Sequence, residues 1–169
     1  MARQTRGGRS TFAAIDFETA DYGRDSACAV AVVRVEGSRV VDRFHSFIRP
    51  PRQTFAFTDV HGITWRMVAH APTFQELWPA LRSRFDGVDF LAAHNAPFDA
   101  SVLRACLDGA GVRAATPRFE CTVRIARAAW RIYPTTLPNV CQHLGIDLDH
   151  HDPLSDAEAC ARIVVAAGA

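Results

Sequence analysis

The segment Thr11-Phe-Ala-Ala-Ile-Asp-Phe-Glu-Thr19 alternates as a strand does, which puts Phe12, Ala14, Asp16 and Glu18 on one face. Two apolar residues ask for that face to be buried, and two carboxylates follow them on it. Adjacent carboxylates repel, and removing them from water is costly unless a cation lies between them. A divalent metal meets that need. Hard oxygen ligands favour magnesium or manganese over zinc.

The same conflict recurs twice on segments with helical spacing. After His94-Asn-Ala-Pro-Phe-Asp99, the residues Asp99, Val102, Leu103 and Cys106 fall at i, i+3, i+4 and i+7. Asp99 thus heads an apolar stripe near a helix start. His150-His-Asp-Pro-Leu-Ser-Asp156 opens a second helix, on which Asp156, Cys160, Ile163 and Ala167 share a face. One such carboxylate is ordinarily a helix cap or the partner of an arginine. Three cases with a histidine beside the last read as one metal site: Asp16, Glu18, Asp99, His151 and Asp156.

These residues carry a resemblance. Asp16-Phe-Glu18, His94-Asn-Ala-Pro-Phe-Asp99, and His151 five positions before Asp156 resemble, in order, the three motifs of the DEDD 3′–5′ exonucleases. His61-Gly-Ile-Thr64 lies between the first two motifs, as it does in many members. A histidine five before the last Asp, with Asp152 rather than Tyr four before it, is similar to the His (DEDDh) subclass. That subclass includes the proofreading (epsilon) subunit of bacterial DNA polymerase III. The likeness runs from about Phe12 to Ala167. Its departure is local: Asp16-Phe-Glu-Thr-Ala-Asp21 replaces the common Asp-x-Glu-Thr-Thr-Gly, so the loop after the first strand differs.

The resemblance implies an α/β, ribonuclease H-like fold: a mixed five-stranded sheet flanked by helices, with the first strand central. It implies two divalent ions, Mg2+ or Mn2+, on Asp16, Glu18, Asp99 and Asp156, with Asp16 bridging and His151 as general base. The implied reaction removes nucleoside 5′-monophosphates from the 3′ end of DNA or RNA. The implied pocket takes the sugar on the backbone of Glu18, Thr19 and Ala20 and the base against Ile63, with Phe98 stacked near the sugar or base and His94 and Asn95 nearby. Two other classes share features of this layout. A ribonuclease H-like endonuclease shares the carboxylates but not the two histidine motifs, and a non-catalytic nucleic-acid-binding module does not need all five positions intact.

Composition fits this reading. The 169 residues suit one domain with a substantial core, and 49% hydrophobic with 22% charged residues is ordinary for a globular protein. No apolar run reaches the ~18 residues of a membrane helix, and the start has no signal-peptide core. A cytoplasmic protein is expected. Its partner would be single-stranded DNA or RNA with a free 3′ end, not a membrane; whether it has a polymerase or repair partner is left open by the sequence. The five cysteines form no Cys-x-x-Cys pair and read as reduced core residues. His61 and His94 read as residues holding local backbone, and His150 as the competitor of His151. Arg124, Arg127 and Arg131 share a helix face, read as solvated.

Along the chain, residues 1–10 read as a flexible basic arm and 11–169 as one exonuclease domain. Strands are expected at 11–15, 27–35 and 40–48, the last two as a hairpin through Glu36-Gly-Ser38. A short helix should follow His61-Gly-Ile-Thr64, and a longer one should start at the capping box Thr73-x-x-Glu76, kinking or restarting at Pro79. A buried strand is expected at 88–93, the Asp99 helix to Gly109 or Gly111, and a short strand near 119–122. Helices at 122–131 and 137–144 precede the Asp156 helix.

Overall fold

The computed structural model describes residues 10–168. A sheet of five strands forms from β1 (Thr11–Thr19), β2 (Ala27–Glu36), β3 (Arg39–Phe47), β4 (Phe90–Ala93) and β5 (Phe119–Cys121). Their order is β3-β2-β1-β4-β5, so the first strand is central as expected. β1 to β3 pair antiparallel, while β4 and β5 join the other edge in parallel. Gly37 at φ 65 turns the β2–β3 hairpin. Of the flexible arm expected over residues 1–10, residues 1–9 lie outside the described residues. Ser10 belongs to the fold, since its carbonyl accepts from Gly37 N–H at 2.9 Å.

Helices cover both faces. α1 (Thr58–His61) and α2 (Trp65–Val68) flank the His61 motif, so a helical turn precedes it as well as follows it. α3 (Phe74–Phe85) and α4 (Ala96–Gly109) pack on one face, over Ala13, Ile15 and Phe17 of β1. α5 (Thr122–Trp130), α6 (Leu137–Leu144) and α7 (Pro153–Ala167) pack on the other, over Phe12 and Ala14. Alternation along β1 therefore feeds two cores, and Asp16 and Glu18 lie on the α7 side.

Two expectations need correction. The capping box at Thr73 forms with both reciprocal bonds, but α3 does not restart at Pro79. Buried Leu77, Trp78, Leu81 and Phe85 hold the helix through that position, and packing outweighs the one lost backbone bond. β1 does not stop at Ile15 either; it runs to Thr19 because β2 pairs with it as far as Thr19↔Ala27. All five cysteines are free and four are buried. Among the described residues no helix is long and apolar enough to cross a membrane.

Candidate active site

The site forms where β1 outruns β4. The β1–β4 pairing ends at Ala14↔Ala92, which leaves the far end of β1 without a neighbour on that side. Asp99, in the first turn of α4, fills the gap: Phe17 N–H donates to its Oδ1 at 3.1 Å. From the other face α7 brings Asp156, also in its first turn. Both carboxylates sit where a helix N-terminus favours negative charge. Asp16, Glu18 and Asp156 each offer an oxygen within 4.8 Å of the others'. Asp99 stands outside that trio but acts on it electrostatically, raising the Asp16 pKa. A bulge between Glu18 and Thr19 re-aims the chain just past the trio.

The four carboxylates are strained as anions. Asp99 and Asp156 are only 2% and 4% exposed. Burial, then Asp99, Glu18 and Asp156, hold the Asp16 pKa well above the usual carboxylate range. Burial and Asp156 push Glu18 up to about 7, and burial pushes Asp99 up to about 8. Asp156 is raised by burial as well, against the pull of the two histidines. Asp16 Oδ2 is buried with no hydrogen-bond partner. An orphaned carboxylate oxygen facing like charges is what a hard divalent cation satisfies, so the residues present fit Mg2+ or Mn2+.

The histidine rim lies on the turn before α7. His151 takes φ 71, a conformation rare outside glycine, and its N–H donates to Asp156 Oδ2 at 3.2 Å. The imidazole that meets Asp156 belongs to His150, with Nδ1 at 3.0 Å from Oδ2. The two rings stack at 3.9 Å. Burial and the neighbouring His150 lower the His151 pKa, which keeps its ring neutral near pH 7. Asp152 caps α7 by accepting from Ser155 N–H at 2.8 Å, and Asp149 N–H donates to Ser155 Oγ at 2.9 Å.

The expected pocket residues are distributed around this centre. Ile63 N–H donates to His61 Nδ1 at 3.0 Å, so the neutral ring donates from Nε2 to the Thr19 carbonyl at 3.1 Å. Ile63 is 4% exposed, packed with Ala20, Cys28, Ala29 and Val68, and forms the base of a wall more than a surface. Ala20 is engaged at both backbone groups: its N–H donates to Ser26 O at 2.8 Å and its carbonyl accepts from Ala56 N–H at 2.7 Å. It has no free donor for a sugar. Asn95 caps α4 at φ 65, and Phe98 lies under the Arg24 guanidinium at 4.6 Å. His94 does not face the carboxylates. Its Nε2–H donates to Thr135 O at 3.0 Å, and its Nδ1 lies 2.8 Å from Thr122 Oγ1. Thr122 and Thr135 carry no motif, and no periodicity in the sequence points to them.

Comparison with known proteins shows the family and the fold. The profile of the exonuclease family matches residues 13–164. A PolC-type DNA polymerase III of Thermotoga maritima is 28% identical over 161 residues. The match takes 92% of this chain but only 12% of that polymerase. The chain thus spans about an eighth of that relative's length. Among solved structures, exonuclease X in complex with 5′ overhanging duplex DNA superposes with a TM-score of 0.75 at 23% identity, over 92% of this chain and 90% of that one. A 3′-exonuclease bound to a histone mRNA stem-loop gives 0.75 at 20% identity, over 94% and 81%. At these identities the two structures speak to the fold alone.

Proposed function

The chain belongs to the exonuclease family, and from that premise we propose that it is a metal-dependent 3′–5′ exonuclease that releases nucleoside 5′-monophosphates from single-stranded DNA or RNA. The observation that carries the proposal is the buried, unpartnered Oδ2 of Asp16 at the centre of the carboxylate cluster. A structural carboxylate at that depth would be paired.

Asp16, Glu18, Asp99 and Asp156 would hold two divalent cations, which stabilise charge on both the attacking and the leaving oxygen of a phosphodiester. The chain's own contribution follows from its geometry. Phe17 N–H fixes the Asp99 carboxylate, and the His151 N–H fixes that of Asp156. His151, held neutral, takes the proton of the attacking water through its ring nitrogen. His150, with Nδ1 already committed to Asp156, orients that carboxylate. His61 ties the Thr19 carbonyl to the Ile63 turn and so holds the two walls of the 3′-nucleotide pocket in register.

The test is digestion of 5′-labelled DNA and RNA oligonucleotides with Mg2+ and with Mn2+, against a circular single strand. A descending ladder from linear substrates, no cutting of the circle and complete loss with EDTA are expected. Equal rates on circular and linear strands would indicate an endonuclease. A 3′-phosphorylated strand should be cut far more slowly than its 3′-hydroxyl twin, since the phosphate brings roughly −2 charge to the carboxylates.

A further inference from the structure

From Cys121 to Ile146 the chain contains no Asp or Glu, against 18 acids in 169 residues overall. It contains three arginines, Arg124, Arg127 and Arg131, all exposed on α5 and its C-cap. None of the three forms an ion pair among the described residues. Beside them Tyr133 is 70% exposed, with the Arg127 guanidinium 5.5 Å from its ring centroid. A solvated helix face usually mixes both signs of charge. Unpaired cations of one sign along a helix, one of them against an exposed aromatic ring, are what a phosphodiester strand with unstacked bases needs.

The patch is also anchored to the site. Arg127 Nε–H donates to Thr135 Oγ1 at 2.9 Å, and that hydroxyl donates to Ile132 O at 2.7 Å. The Thr135 carbonyl accepts from His94, whose ring also meets Thr122 at the head of α5. His94 opens the segment that carries Asp99, and it lies close enough to His150 for the two to interact electrostatically. The loop bearing Tyr133 is therefore fixed beside the metal-site motifs rather than free to drift.

We propose that Arg124, Arg127, Arg131 and Tyr133 form a second nucleic-acid contact, which holds the single strand upstream of the cleaved nucleotide: the arginines on phosphates, Tyr133 stacked on a base. The proposal rests on the exonuclease reading for its substrate but not for its measurement. Bases stack on tyrosine regardless of sequence, so the contact adds length dependence without base preference.

The experiment has two arms. In the first, Asp16→Asn protein, which should bind without cutting, is titrated with a fluorescent oligothymidylate of about 20 nucleotides at several salt concentrations. Tyr133→Leu in that background should weaken binding about tenfold. Arg124→Gln with Arg131→Gln should flatten the slope of log K on log salt by about 0.7 for each phosphate that is no longer neutralised. In the second arm the same changes, in otherwise wild-type protein, should lower kcat/KM on the long strand and leave a dinucleotide within about twofold. Unaltered binding and salt slope, or equal reductions on long strand and dinucleotide, overturn the proposal. Competition by polyglutamate equal to that of the oligonucleotide and indifferent to Tyr133→Leu also overturns it, in favour of an acidic protein partner. If the long strand binds through the patch but neither substrate is cut, the exonuclease reading fails and the contact stands.

Discussion

The carboxylate floor and the histidine rim of the site are built by different means. Asp16, Glu18, Asp99 and Asp156 project from a strand and from the first turns of two helices, and all four are pressed against the core. His150 and His151 stand on a turn, with the His150 side chain 38% exposed and His151 in a left-handed conformation. The floor is held by the cores on both sides of the sheet, whereas the rim is held by one cap and by bonds to Asp156. The floor should therefore tolerate no change in charge, while the two rings of the rim should differ in what their loss costs.

The largest effect should follow Asp16→Asn, which removes the central carboxylate of the floor with almost no change in volume. Turnover should fall by roughly 10⁴ or more, on the scale of losing a central catalytic group. The metal-free protein should melt higher, since repulsion is relieved. An active Asp16→Asn enzyme would sink the assignment of Asp16 to the metals.

The rim is tested by its two adjacent rings. His151→Ala should lower kcat by about 10²–10⁴ with little change in metal affinity, as the loss of a general base does. His150→Ala should cost less in kcat and more in metal affinity, because its ring orients Asp156, an outer-sphere role worth about 10–100-fold. Reversed effects would make His150 the base.

The competition between those two rings marks the boundary of what the sequence makes legible. The floor is legible because its carboxylates interrupt apolar periodicities: alternation along residues 11–19, and helical stripes from Asp99 and Asp156. Those periodicities also place α4 and α7, while the turn at Gly37 and the capping box at Thr73 mark the β2–β3 hairpin and the start of α3. The rim is legible only as a pair of histidines, because a left-handed residue in a turn leaves no periodic trace and decides which ring faces Asp156. Bonds between distant segments are not legible at all. Nothing in the sequence ties His94 to Thr135, or closes the Ala20 backbone on Ser26 and Ala56.

A smaller effect distinguishes the regions by pH. Glu18 and Asp99 have folded-state pKa values of about 7 and about 8, raised from 4.5 and 3.8. A raised carboxylate binds its proton more tightly in the folded state. Its contribution to stability is therefore fully present below the unfolded value and is lost as pH climbs through the folded one. With EDTA, Tm should fall between about pH 4.5 and pH 8, by roughly 5 °C or more for a chain of this size. Divalent metal should remove the fall by binding the folded state, so the metal-dependent gain in Tm should widen as pH rises. A flat EDTA profile would show that the floor is not a cluster of competing anions.

The smallest effect concerns the cap that carries the rim. Asp152 accepts from Ser155 N–H and starts α7, so it sets the turn on which both histidines stand. It also adds negative charge near Asp16. These two roles separate by substitution. Asp152→Ala removes both, and should cost about 1 kcal/mol for a missing N-cap, or about 2–4 °C in Tm. Asp152→Asn keeps a capping oxygen of equal quality and removes only the charge, so it should hold Tm within about a degree. If the turn is what places the rim, Asp152→Ala should lower kcat severalfold at saturating metal and Asp152→Asn should not. Equal reductions in both variants would assign the residue to the charge of the floor, and the rim would then depend on Asp156 alone.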